Sequence, residues 1–585
     1  MPKNLKLAYD EIYAKIKGLH AHERQLAERA FKWVLVALEP INRKDFLLAV
    51  SQDPNGGEVR YHSEVDEDLL LGLCCNLLVI DSQLDVWRFS HLSVAEYLEE
   101  HQLSANQAHL DIGRICLYWL VDKAYLSAKY AVFGSYSESF PLGCYAHRHV
   151  FEHIADRKEQ ADDRCLAVLL DRFLGTYEHP TQAFSHWIQQ SGYRITRRRH
   201  MYQSIEGDGG IIMVHVICAL GLHSVLHRWA ERDLTRFKNL VTRVDALGES
   251  PLGVAAYHGH TNTCALLVEL GVDPNRLVEG QRESALNMAA RAGHLETVAM
   301  LLDVGAQVSP PTANPIDSPL VPAVLSGNPL VIERIVANGA DPNLQIPGPY
   351  GSVLAEAATN KSASMQMQTL LKAGADVNMQ LGRDSYGSAL AAAASLGSTD
   401  SAASLISHGA TIDLPLQWGK FGSALAAAAA YGVADTVHHL VSRGANVNMP
   451  LENGCYGSAL VTAVVHRNLG CVKALLQAGA DVNQQVNNRY GSALIAAVKL
   501  CGTLGDPWPE ANSMIVRWLL LLGADAQCSS PSVGDRNALQ VLERLREQQW
   551  LRSTPRYEDT FKEVNHLLLT VKPDREEGLE LLASS

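Results

Sequence analysis

No Gly-x-x-x-x-Gly-Lys-Ser/Thr loop occurs anywhere in the 585 residues, so the backbone cradle and lysine that hold nucleotide phosphates are missing. Gly-x-Ser-x-Gly, His-Glu-x-x-His and the kinase signature set are absent too, and the 23 histidines are dispersed without forming a catalytic constellation. The eleven cysteines show no Cys-x-x-Cys spacing. Lys3, Lys6 and Lys15 interrupt the amino terminus before a signal-peptide core can form. Together these point to a reducing cytosol, with the nucleus as the alternative compartment. Long apolar runs are lacking: 69–80 and 211–226 fall short of the ~20 residues that span a bilayer, and His215, Gly221 and His223 break the second. Positive charge is in deficit, at 50 Lys plus Arg against 63 Asp plus Glu and a net charge of −13. That balance argues against broad nucleic-acid binding, and the one dense basic run, 194–200 (Arg-Ile-Thr-Arg-Arg-Arg-His), reads as a solvated linker face. No enzyme, cofactor, nucleotide or membrane is expected.

What is present is repetition. Tyr350-Gly-Ser-Val-Leu returns as Tyr386-Gly-Ser-Ala-Leu, Phe421-Gly-Ser-Ala-Leu, Tyr456-Gly-Ser-Ala-Leu and Tyr490-Gly-Ser-Ala-Leu, at intervals of 36, 35, 35 and 34 residues. A second phrase, Gly-Ala-Asp-Val-Asn at Gly374 and Gly479, keeps the same period. Such self-similarity marks a stacked repeat, whose units cannot bury their apolar face alone. The serine before Ala-Leu (Ser388, Ser423, Ser458, Ser492) is placed to cap an inner helix. That helix is built of alanine, as at 389–394 and 424–430, the best helix former and small enough to let neighbours approach. Leu370 and Leu371, Leu440 and Val441, and Leu475 and Leu476 supply the apolar face of the outer helices. The glycine opening the second phrase sits where a left-handed helix terminus is wanted.

Gly248-Glu-Ser-Pro-Leu-Gly-Val-Ala-Ala-Tyr-His-Gly-His, ending at Gly271-Val-Asp-Pro-Asn, resembles the ankyrin repeat. Counted on the glycines from Gly271 to Gly523, the resemblance covers eight repeats over 248–535, preceded by a degenerate one at 209–247 and followed by a helical cap and tail at 536–585. The fold class implied is mainly α: an amino-terminal winged-helix-like and helical module followed by an ankyrin-repeat α-solenoid.

The module is read from its periods. Helical periodicity runs over 5–38 until Pro40, with Leu26, Ala30, Phe31, Val34, Leu35 and Leu38 on one face; a short helix follows at 44–50, a third at 66–76, strands at 77–81 and 86–89, and a helix at 94–101. Helices followed by a small hairpin describe a winged helix over 1–105, joined by a helical connecting region at 106–208. Arg88-Phe-Ser-His-Leu-Ser-Val-Ala-Glu-Tyr-Leu-Glu resembles the element that follows the NACHT domain in fungal NLR-like (STAND) proteins. The chain is similar to the carboxy-terminal half of such a protein without its nucleotide-binding motor. The sequence assigns no pathway among fungal defence, secondary metabolism and others. DNA binding through the third helix is disfavoured because its start, Asp66-Glu-Asp, is acidic. Cys144, His147, His149 and His153 invite a zinc reading, but no second cysteine or carboxylate stands at ligand spacing.

The function expected is a non-enzymatic scaffold or adaptor that binds one or more proteins on the concave face of the repeats, as the resemblance implies. The alternatives are an NLR-like signalling component working with a separate nucleotide-binding protein, and a transcriptional regulator using the winged helix. Candidate partner-binding residues are those that vary beside the constant frame: Tyr257, His258, Arg291, Asn360, Leu396, Tyr431, His466 and Lys499. Trp418 in a finger loop and Trp508 in an insertion at about 501–510 are added as exposed aromatics. The column Tyr350, Tyr386, Phe421, Tyr456 and Tyr490 is expected to pack one finger on the next rather than to bind.

Overall fold

The computed structural model of the chain describes all residues except 1–2, 57, 64, 123–140, 177–178, 186, 189–208, 246–247, 276–282, 310–313, 361–363, 501–508, 531–533, 535, 548–554 and 585. They form two compact units, Met1–Gln307 and Val308–Ser585.

In the first unit the helix expected over 5–38 is two helices, α1 (Lys3–Lys17) and α2 (Ala21–Val36). The break lies at Gly18, whose N–H closes α1 on the carbonyls of Ala14 and Lys15 before His20 turns extended. On α2 the buried face carries Leu26, Ala30 and Phe31 as expected, but Trp33 and Val36 complete it. Leu38 lies past the helix end and is exposed. Then follow α3 (Arg43–Ser51) and α4 (Glu67–Leu73), capped by the side chains of Asn42 and Asp66. Strands β1 (Leu78–Asp81) and β2 (Val86–Phe89) pair antiparallel with Leu78 opposite Phe89, and Asn42 makes an isolated bridge to Val86. Phe46 of α3 stacks on Trp87 of β2 at 5.2 Å, which seats the hairpin on the helices. Helix α5 (Leu92–His101) packs back on α1, where Tyr97 meets Tyr9 at 5.3 Å.

Helices α6 (Ala105–Val121) and α7 (Pro141–Ile154) approach so closely that a Cβ on Gly113 would collide with Ile154. Asp111 of α6 pairs with Lys32 of α2 at 2.6 Å and with Arg114, a charged group buried with its partners rather than alone. Asp156, just past α7, holds this region to the first full repeat. Its carboxylate accepts from the backbone N–H groups of Asn262 and Thr263, at 3.0 Å each, and so caps a helix (Thr261–Glu269) whose own N-cap residue, His260, supplies no side-chain cap. Helix pairs Gly209–Ala219 with His223–Arg232, Pro251–Tyr257 with Thr261–Glu269, and Ala285–Ala292 with Leu295–Asp303 complete the unit.

The second unit repeats one pattern. Among the described residues, inner helices Leu320–Ser326, Val353–Thr359, Ala389–Ser395, Ala424–Tyr431, Ala459–Val465 and Ala493–Leu500 pack on one another in order, each paired with an outer helix that follows it. Helices of seven or eight residues are unstable alone, so the stack supplies what propensity does not. The alanines of 389–394 and 424–430 are all buried between neighbours, and Leu405, Leu440 and Leu475 of the outer helices are fully buried, each contributing about 2 kcal/mol by removal from water. Ser352, Ser388, Ser423, Ser458 and Ser492 accept from the N–H three residues on, at 3.1–3.3 Å. The glycine column Gly339, Gly374, Gly409, Gly444, Gly479 and Gly523 has φ between 85° and 96°, the left-handed terminus that glycine adopts without strain. Helices Ala538–Glu547, Pro555–Thr570 and Arg575–Ser584 close the chain.

Candidate protein-interaction surface

The finger loops bring one aromatic per repeat to the same side of the second unit. Tyr350 lies 6.2 Å from Tyr386, ring centre to ring centre. From there the run passes through residues of the inner-helix ends: Tyr386 to Tyr431 at 6.0 Å, Tyr431 to Phe421 at 5.6 Å, Phe421 to His466 at 6.3 Å, His466 to Tyr456 at 5.1 Å, and Tyr456 to Tyr490 at 5.9 Å. Most of these contacts are tilted or edge-on, the arrangement aromatic quadrupoles favour. Phe421 and Tyr490 are buried, whereas Tyr431 is 48% exposed. The column is therefore a ladder, with two of the candidate recognition residues as alternate rungs.

Cations line the ladder. Arg383 lies over the ring of Trp418 at 4.4 Å, Arg489 over Tyr490 at 4.8 Å and Lys420 near Phe421 at 6.0 Å. The ammonium of Lys499 donates to the carbonyl of Arg489. Burial first, and then Arg489 and Arg536, hold the Lys499 pKa below its ordinary value; burial and then Lys420 do the same to His466. Arg383, Lys420 and Arg489 were not singled out in the sequence, although Lys420 and Arg489 stand immediately before the repeated aromatic.

The remaining candidates divide. Leu396 and Trp418 are 39% and 42% exposed, and Asn360 is exposed as well. In the first unit Arg291 is engaged by Glu283 at 2.5 Å. Tyr257 stands edge-on to His258 at 5.4 Å, and His258 stacks on His260 at 6.0 Å. Burial, followed by His260 and His294, brings the His258 pKa down to about 4. His260 and His294 themselves reach back to the carbonyls of Ala219 and Tyr257, at 2.9 and 3.1 Å, tying each repeat to the one before. Trp508 lies outside the described residues, as do the basic run 194–200 and most of the insertion before Pro509.

The proposed zinc ligands do not converge. His153 is hydrogen-bonded on one side to Tyr145 and on the other to His109, each at 2.8 Å. His149 stands between Glu39 at 3.3 Å and Glu152 at 3.0 Å, and His147 packs on Trp187. Among the described residues no group of three or more His, Cys, Asp or Glu side chains could hold a metal ion, and no helix is long and apolar enough to cross a membrane.

The family model for ankyrin repeats matches this chain in three copies, at residues 221–312 and 424–530. Among solved structures, the human ASB11 ankyrin repeat domain is 26% identical, over 40% of this chain and 99% of its own, with a TM-score of 0.35. No curated protein sequence matches the chain. The chain carries ankyrin repeats.

Proposed function

We propose that this chain is a non-enzymatic protein-interaction scaffold that engages its partner along the inner-helix ends and finger loops of residues 350–500. Ankyrin repeats suggest such a role, and one observation carries the placement: Leu396, Trp418, Tyr431 and His466 stand exposed on a frame whose stacking is supplied by buried alanine and leucine. Large side chains that the core does not need are the usual source of interface energy, with tyrosine and tryptophan foremost. The test is affinity capture from the source cells with the full chain and with Trp418→Ala/Tyr431→Ala/His466→Ala. A protein recovered by the first and lost by the second is expected; identical recoveries would sink the placement.

The first 105 residues we read as a winged-helix-type module serving as a packing and regulatory element, in the manner of NLR-like proteins. The order α2, bridge at Asn42, α3, α4 and hairpin supports this reading. Asp66, the N-cap of α4, and Asp68 in its first turn are exposed, where carboxylates would repel the phosphate backbone, so transcriptional regulation is the weaker alternative. A gel-shift experiment with random duplex DNA is expected to show no complex; a salt-sensitive complex would revive it.

A further inference from the structure

Four cations of the second unit, Arg383, Lys420, Arg489 and Lys499, sit beside the aromatic ladder, and among the described residues none of them has a carboxylate partner within ion-pair distance. In the first unit, by contrast, Lys32 pairs with Asp111 and Arg291 with Glu283. The chain as a whole has a net charge of −13, so this row of cations runs against its overall sign. Of the carboxylates that share these loops, Asp376, Asp413 and Asp481 accept from backbone N–H groups, which leaves Asp384 and Glu452. From Lys420 to Lys499 the excess is positive. Three of the four are positioned by aromatic faces rather than by counter-ions, which orients each cation while leaving its outward side for a ligand.

From this arrangement we infer that the segment recognised by the second unit is an extended chain rich in Asp or Glu, with apolar or aromatic residues between its carboxylates. The inference rests on the scaffold reading above and gives the partner its chemistry. Inner helices of successive repeats pack directly on each other, at roughly 8–10 Å by the general rule for helix pairs. An extended chain advances about 3.3 Å per residue. A segment lying along the stack thus presents about every third residue to the same position of the next repeat. Carboxylates at that spacing meet the cations, and the residues between them meet Tyr431, His466 and Trp418. Oriented, unpaired cations raise both association rate and selectivity for such a ligand.

The experiment uses the full chain and measures fluorescence anisotropy with a labelled peptide of repeating Glu-Glu-Leu, a Lys-Lys-Leu control and oligo(dT). The acidic peptide is expected to bind, more weakly as salt rises, and the control peptide not to bind. Lys420→Glu/Arg489→Glu should weaken the acidic peptide roughly tenfold or more with the fold retained, as read by circular dichroism, because both side chains are exposed. No binding of the acidic peptide, binding indifferent to charge reversal, or tighter binding of oligo(dT) would each overturn the inference, the last assigning the cations to nucleic acid. The two readings fail separately. If a cellular partner is still captured by the charge-reversed chain but lost with Tyr431→Ala, the scaffold stands and the acidic segment falls; if neither variant changes capture, the surface itself is wrong.

Discussion

Asn448 joins two repeats through both ends of its amide: Nδ2 donates to the carbonyl of Gly479 at 3.2 Å, and Oδ1 accepts from the backbone N–H of Asp481 at 2.7 Å. Asn378 does the same to Gly409 and Thr411, and Asn483 to Gly523 and Asp525, the last across the longer repeat. Asp413 occupies this position once, and its carboxylate accepts from Asn446 but has no proton to donate to the glycine carbonyl.

Asp413→Asn should therefore stabilise the chain by about 0.5–1 kcal/mol, the usual net value of one hydrogen bond, and Asn448→Ala should destabilise it by roughly twice that. Urea unfolding followed by circular dichroism reads both. Equal midpoints for Asp413→Asn and the parent would show that the missing donor is replaced by water at no cost.

Phe421 and Tyr431 touch, yet their substitutions should separate. Phe421 is 2% exposed, so Phe421→Ala is expected to cost about 3–5 kcal/mol. Tyr431→Ala, at a half-exposed rung, should cost less than about 1 kcal/mol while abolishing partner capture. Thermal melts alongside capture decide whether the ladder and the binding row are distinct.

Asp156→Ala should leave the N–H groups of Asn262 and Thr263 without their acceptor, a loss of about 2 kcal/mol. Asp156 has φ of 50°, so Asp156→Asn, which tolerates that conformation and keeps one acceptor oxygen, is expected to recover part of it. Hydrogen exchange at residues 262–264 is the direct readout, and unchanged protection in the alanine variant would refute the clamp.

Acid should destabilise the first unit. Burial is the main cause that lowers His109, His258 and His260 to about 4 from the ordinary 6.5, and it lowers His153 further. The unfolded chain therefore binds protons more readily than the folded one, and the stability these histidines contribute is present above pH 6.5 and is lost as pH falls from there towards 4. The thermal midpoint is expected to be flat between pH 7 and 8 and to drop below 6.5. A midpoint constant down to pH 5 would contradict it.

The repeat was legible because its constraints are local. A serine cap needs only the N–H three residues on, a left-handed glycine only its own φ, and an alanine run only its neighbours at the same phase of the period. Ser423, Gly444 and 424–430 could therefore be assigned from sequence spacing, and the strands at 78–81 and 86–89 from the change of period. The break at Gly18 was harder to see, since the apolar pattern continues through it and only the early closing of α1 on Ala14 and Lys15 ends the helix.

By itself the sequence determined the repeat, its period and the roles of the residues that recur. Tertiary structure alone decided what those residues do together: that Asp156 caps a helix more than a hundred residues away, that Tyr431 and His466 enter the aromatic ladder of the fingers, and that Lys420 and Arg489 meet ring faces rather than a carboxylate among the described residues. The physical reason is range. Caps and left-handed turns are set within four residues of chain, whereas ring stacking and the absence of an ion pair depend on groups that only packing brings within a few ångströms.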